Sequence, residues 1–323
     1  MMQNRLFFTA SRSVTERLGE LCNFVCASAV AMWSLRQQVS AFIDESETHS
    51  RTDAELQERF VKPAKVTSAD LRTACISWSW ETQQEQFAKI LLFDLCSIYE
   101  AWLEDVVPRA VLGASEQTLA KVQKALQFPS STDAKGNHGL KLALQVVNNQ
   151  PSTILKEDVF PVLVKHKKNA WPLIENMLTA YRYFKECRNA FIHNGGIAKE
   201  HTEKAYEALR RLNASELGLH GPLKLPPVAN RRLVTLALPD VVGLSSILHA
   251  MIVTLDAALA VSKGSERDML ARISEKIQHG RPLPKKDPDR RTRAILAMCR
   301  KAGLPEPVRV SGVENLLRTC GVI

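Results

Sequence analysis

Trp171-Pro172-Leu173-Ile174-Glu175-Asn176-Met177-Leu178-Thr179-Ala180-Tyr181-Arg182-Tyr183-Phe184-Lys185-Glu186-Cys187-Arg188-Asn189-Ala190-Phe191-Ile192-His193-Asn194-Gly195-Gly196 decides the fold. Ile174, Met177, Leu178, Tyr181 and Phe184 recur at three- and four-residue steps. That spacing puts them on one side of a helix, not on alternate faces of a strand. Asn194-Gly195-Gly196 ends the pattern, because glycine accepts the left-handed C-cap conformation. The stretch reads as a long helix over 171–192 with one side committed to a core.

The same period governs nearly every other apolar segment. Gln86–Val107 carries Phe87, Leu91, Leu95, Ile98 and Trp102 on one face, and Pro108 is expected to stop it. Residues 12–44 read as a long helix broken near Thr48–Thr52. Thr67-Ser68-Ala69-Asp70 offers caps for a helix running through Trp78 and Trp80. Leu244, Leu248, Met251, Leu255 and Leu259 mark another helix over 240–262. Residues 113–168 read as an irregular insertion with one or two short helices, its loops marked by Pro129-Ser130-Ser131 and Asn148-Asn149-Gln150-Pro151. A polar amphipathic helix follows over 198–214. A short β-hairpin is admitted near 225–238, where Arg232–Leu238 has strand character. Residues 265–279, 290–302 and 312–320 complete the helices around a Pro/Lys/Asp linker at 281–289. No internal repeat is evident. The class is all-α: an N-terminal helical extension (1–68), a bundle (69–262) with its insertion at 113–168, and a small basic helical C-terminal extension (263–323).

The chain has 323 residues, 45% hydrophobic and 24% charged, which excludes a disordered or collagen-like polymer. Its net charge is +9, unevenly spread. Residues 263–309 hold 13 basic and 6 acidic side chains, whereas residues 1–262 hold 29 and 27. Seven cysteines without paired CxxC spacing read as reduced thiols, so a cytoplasmic protein is expected. Met1–Thr9 lacks the pattern of a cleaved signal. Leu21–Leu35 is too short for a span and carries Asn23. Val241–Val261 is interrupted by His249 and Asp256. No membrane span is expected.

Phosphate-loop, dinucleotide, HExxH and GxSxG motifs are missing, and no His/carboxylate set has metal-ligand spacing. Neither a metal nor another cofactor is expected. What stands out is Cys187-Arg188-Asn189-Ala190-Phe191-Ile192-His193-Asn194-Gly195-Gly196. With 8 His and 23 Arg in the chain, Arg-x4-His arises by chance about 0.6 times. On a helix Asn189 and His193 share a face and Arg188 is about 100° from Asn189, so the three can lean into one cleft.

This segment resembles the Rx4–6H motif of the HEPN superfamily, in which a polar residue commonly follows the Arg. Leu91–Glu104 is similar to the second long helix of several HEPN families, and the helix order fits over residues 69–262. Where some HEPN toxins carry a Tyr two residues after the His, this chain has Gly195. The resemblance implies a HEPN-like bundle and a metal-independent endoribonuclease acting as a homodimer with a composite active site. His193 would do acid–base work on the 2′-hydroxyl or leaving oxygen. Arg188 would hold the phosphate, and Asn189 would orient His193 or the phosphate. Products would be a 2′,3′-cyclic phosphate and a 5′-hydroxyl. A toxin or phage-defence role, with an antitoxin or activator protein as partner, comes from the resemblance alone.

Plainer readings stand beside these. Arg188 and His193 can be cations satisfying a helix C-terminus. Glu100 and Glu104 serve either as a polar layer behind the cleft or as a solvated helix face. Trp78, Trp80 and Trp102 read as core residues, and Cys187 as a buried, inert thiol. Lys165, Lys167 and Lys168, with Lys285, Lys286, Arg290, Arg291 and Arg293, can bind RNA through its phosphates; the plainer reading of the first three is a solvated charge run, and the late basic residues serve equally as a tail that docks a partner protein. The alternative function is a non-catalytic RNA-, nucleotide- or partner-binding module with a basic nucleic-acid-binding tail. A third is a DNA-binding regulator using 263–323.

Overall fold

The computed structural model describes residues 5–45, 51–130, 139–276 and 287–323. It is all-α. Twelve α-helices lie among these residues: α1 (Thr9–Asp44), α2 (Asp53–Leu56), α3 (Trp80–Ala110), α4 (Glu116–Ala125), α5 (Leu140–Val147), α6 (Phe160–Leu163), α7 (Ile174–His193), α8 (Glu200–Leu209), α9 (Leu238–Leu259), α10 (Lys263–Lys276), α11 (Pro288–Lys301) and α12 (Val310–Thr319).

α9 is the centre. Leu244, Ile247, Leu248, Met251, Ile252 and Leu255 are fully buried along one stripe, and every residue from Ala250 to Ala257 is buried, so the second half of the helix must be covered on every side. α1, α3 and α7 do most of the covering. α3 begins where the Ser79 hydroxyl accepts the Thr82 amide at 3.1 Å. It runs antiparallel to α7: Tyr99 meets Tyr181 edge-on at 4.7 Å, and Phe93 meets Phe191 at 6.3 Å. The Tyr99 hydroxyl donates to the Leu126 carbonyl at 2.7 Å, which satisfies its one polar group.

α1 lies antiparallel along α3 on a narrow seam. Its buried residues include Ser11, Leu18, Val25 and Val39, spaced by multiples of seven. Two contacts fix the register. The Trp102 indole donates to the Ser11 hydroxyl at 2.9 Å, and the Trp33 ring sits 5.1 Å from Trp80. Near the second contact, Arg36 donates to the Trp78 carbonyl at 2.7 Å. Beyond it, α1 overhangs the start of α3, and Val39 joins Leu56, Val61, Leu71 and Cys75 in a small second core. The outer side of α1 is open, with Phe24 71% and Val30 68% exposed. α1 and α9 are both long and apolar enough to cross a membrane; α9 is buried in the bundle.

The main core draws on the whole chain, from Phe7 to Val322. α10 presses against the end of α3 at Gly264, where a Cβ would come within 2.5 Å of the Ala110 carbonyl oxygen. Arg309 donates to Asp158 at 2.7 Å and holds the start of α12 on residues 157–158.

Four local expectations change. Pro108 lies inside α3, which continues to Ala110. The carbonyl left without an amide partner belongs to Glu104, on the exposed side, where water can serve it. The helix expected through Trp78 and Trp80 is a single π turn, Thr73–Ser77, followed by extended Trp78 and a new N-cap at Ser79. The 113–168 insertion holds three short α-helices and a π turn. No strand forms among the described residues. The hairpin near 225–238 is replaced by one antiparallel bridge, Ile197 to Leu233, because residues 231–234 pair with 196–198 and not with each other.

Asp256 is the charged residue at the centre of this packing. It is fully buried on α9, and its oxygens accept the Phe7 amide at 2.7 Å and the Phe8 amide at 3.0 Å. Burial pushes its carboxyl up to about 6, while the two amides, Ser11 and Arg272 pull the other way. A carboxyl raised from an ordinary value of 3.8 to about 6 favours the fold below pH ~4, and that contribution, roughly 3 kcal/mol, is lost as pH rises through 6. Asp256→Ala leaves both amides unpaired and should cost about 2–4 kcal/mol in chemical denaturation. Asp256→Asn stays neutral, so melts from pH 4 to 7 should show its deficit against wild type shrinking as pH rises.

Candidate active site

The last turn of α7 presents its residues in two directions. Arg188 leans inward toward α3. Its Nη1 donates to Asn189 Oδ1 at 3.2 Å, and its Nη2 stands 4.0 Å from Glu100 Oε2. Asn189 therefore orients the arginine. His193 is five residues on, about 140° round the axis and about 7.5 Å along it. Its ring is exposed and has no hydrogen-bond partner among the described residues. The sequence allowed all three to lean into one cleft; Arg188 and Asn189 are half-buried and bonded to each other, and His193, on the same face as Asn189, is exposed and bonded to neither.

The helix end is built by its glycines. The Asn194 and Gly196 amides both donate to the Ala190 carbonyl, at 3.0 and 2.9 Å, with Gly195 at φ +59 and Gly196 at φ +83. The next residues are clamped: Val234 donates to the Gly196 carbonyl at 2.8 Å, and Ala198 to the Arg232 carbonyl at 2.9 Å. Ile192, Ile197 and Leu233, at 48%, 46% and 68% exposed, flank His193 in the chain or lie on this clamp. Lys89 lies over the Phe191 ring at 4.9 Å.

Glu100 belongs to this neighbourhood. One oxygen takes Lys185 at 2.8 Å, and the other faces Arg188. Glu104, one turn further along α3, is exposed. Lys185 also donates to Gln127 Oε1. Lys185 was missed from the sequence, although its place was readable: it is three residues before Arg188 and four before Asn189, hence next to both on a helix. Gln127 carried no local signal, since only the fold brings α4's end to α7. Cys187 is an inert thiol, fully buried and pushed up to about 12 by burial.

The basic residues named from the sequence do not join this site. Lys165, Lys167 and Lys168 precede α7, while His193 ends it. A helix of 20 residues separates them by roughly 30 Å. Arg290, Arg291 and Arg293 are on α11, which packs on α10. α10 in turn is held to the far end of α3 by Arg109–Asp268 at 3.1 Å. That end is roughly 24 Å along α3 from Phe93, the residue that faces Phe191. Arg290 and Arg293 are exposed, and Arg291 reaches Glu314 at 3.5 Å. Lys285 and Lys286 lie outside the described residues. Of the three tryptophans, Trp102 is core, Trp80 is partly buried against it, and Trp78 is 42% exposed.

No family model matches the chain, and no curated protein or solved structure matches it either.

The geometry separates a structural His193 from a free one. Because its ring bonds to nothing among the described residues, His193→Ala should change unfolding stability by less than about 0.5 kcal/mol. Gly196→Ala puts a side chain into the left-handed region and should cost about 1–2 kcal/mol in the same urea titration.

Proposed function

We propose that this chain is a HEPN-type, metal-independent endoribonuclease that works as a homodimer in the cytoplasm. The observation that carries the reading is the division of labour at the end of α7. An arginine is held by Asn189, facing Glu100, while a histidine with an unoccupied ring stands free at a glycine-terminated helix end. A planar guanidinium suits phosphate oxygens, and a solvent-facing imidazole has a nitrogen available to take or give a proton. Attack by the 2′-hydroxyl gives a 2′,3′-cyclic phosphate and a 5′-hydroxyl, so DNA resists. The divergence of Arg188 and His193 within a chain supports a composite site, in which the two groups at one phosphate come from different copies. The exposed Ile192, Ile197 and Leu233 supply apolar surface for such a contact. Seven free thiols, four of them buried, suit a reducing compartment. A toxin or defence role with an antitoxin or activator partner remains part of the proposal through the resemblance.

One observation favours a second reading. The exposed cations of α11 lie at the far end of the bundle from His193, as expected if the basic face serves a partner-binding module and not the cleavage site.

The test is incubation of purified protein with RNA in EDTA. Wild type should cleave, and His193→Ala and Arg188→Ala should each lose at least about 100-fold in rate, the usual scale for acid–base or oxyanion groups. Absence of cleavage by wild type, or cleavage by both variants at the wild-type rate, rejects the nuclease reading.

A further inference from the structure

Three charged side chains from α3 and α7 form a cluster whose charges do not balance. Lys185 and Arg188 bring two cations to the single carboxylate of Glu100. The other polar neighbours, Asn189 and Gln127, are neutral. One positive charge is left over. The side chains are only 20%, 26% and 23% exposed for Lys185, Glu100 and Arg188, so water screens the surplus less than on an open surface. The pairing is also unequal. Lys185 is in hydrogen-bond range of Glu100, whereas Arg188 at 4.0 Å is beyond it. Among the described residues Arg188 Nε is buried without a partner, as is the hydroxyl of Tyr181, which lies under the influence of both Glu100 and Arg188.

A group with one negative charge and two or more acceptor oxygens would cancel the surplus and engage the guanidinium, whose Nη2 stands beyond hydrogen-bond range of Glu100. A phosphodiester has that charge and those oxygens. We propose that Lys185 and Arg188 together form a two-cation seat for one phosphodiester of a nucleic-acid strand, with Glu100 paired to Lys185 and competing with the phosphodiester for the two cations. The proposal extends the nucleic-acid reading of this site, but it concerns binding and requires no cleavage. It adds Lys185 as a phosphate-contacting group. It also explains why a carboxylate stands beside an arginine meant for an anion: Glu100 engages Lys185 closely and makes no direct hydrogen bond to Arg188, whose guanidinium Asn189 orients.

A plain structural role predicts otherwise. If Lys185–Glu100 only ties α3 to α7, its loss lowers stability and leaves binding unchanged.

The experiment is fluorescence anisotropy of the full chain with a labelled 2′-O-methyl oligoribonucleotide, which cannot be cut through its 2′ position, over a series of salt concentrations. Lys185→Met should weaken binding about tenfold at low salt and reduce the slope of log affinity against log salt by about 0.7, one phosphate contact on a single strand. Lys185→Arg should keep the wild-type slope. Glu100→Gln, which raises the surplus charge, should bind severalfold more tightly. Wild-type affinity and slope in both Lys185→Met and Glu100→Gln overturn the seat, as does a wild-type chain that binds no oligonucleotide. If thermal melting shows that Lys185→Met does not fold, Glu100→Gln decides alone: tightening supports the seat and no change overturns it. The outcomes are separable from those of the nuclease reading. Wild type that binds this probe but cuts no ordinary RNA leaves the seat and removes the nuclease. Cutting that persists with unchanged binding in Lys185→Met does the reverse.

Discussion

From Ala250 to Ala257 α9 gives no side to water, and this constraint organises the molecule. A helix segment buried all round has to be sheathed by other helices, each of which must give it an apolar stripe. α3 and α7 take adjacent places in that sheath and run antiparallel. Their shared edge then turns away from α9, and only there can they bring charged side chains together. Glu100, Lys185 and Arg188 meet along that edge. The polar cluster is thus a by-product of where the core helix leaves room, and its composition is a choice the packing did not force. Hydrophobic pairs at the same positions would have tied the helices at least as well, since partly buried ion pairs add little net stability.

The two ends of the bundle have different characters. At the C-terminal end of α7 are one inward arginine, one outward histidine and a rim of exposed isoleucine and leucine. At the other end lie the N-terminal segment, α10 and the basic α11. Arg290 and Arg293 stand exposed at that second end. A ligand drawn by α11 would have to span much of the molecule before reaching His193. Net charge is therefore a poor guide to the candidate chemistry here, which rests on a few groups in a near-neutral region.

Much of the architecture was legible because its signal is local. The 3.6-residue period of 174–184 and 244–259 needs only the helix itself, and Asn194-Gly195-Gly196 marks its own C-cap. What was not legible depended on partners. Pro108 reads as a stop, yet the carbonyl it deprives faces water and the helix continues. Arg232–Leu238 alternates like a strand, but its backbone partner is the turn after α7, and a single bridge results. For the site, Arg188 and Asn189 emerged from spacing and lie together, while His193 could not be aimed from sequence. Lys185 was adjacent all along and went unnoticed because a lysine on a helix is ordinary. Only the approach of Glu100 across the helix pair makes it exceptional.

The two contacts that set α1 against α3 also limit how the gene can change length. Ser11 and Trp33 are 22 residues apart on α1, and Trp80 and Trp102 are 22 apart on α3. Twenty-two steps of about 100° amount to just over six turns, so both contacts of each helix fall on the same face. Deleting one codon between the contacts on either helix would swing the far partner about 100° out of reach and shorten the span by about 1.5 Å. Only a matched change in both helices, close to a whole number of turns, keeps both contacts. α1 and α3 behave as a ruled pair, and insertions between these marks are tolerated in concert or not at all.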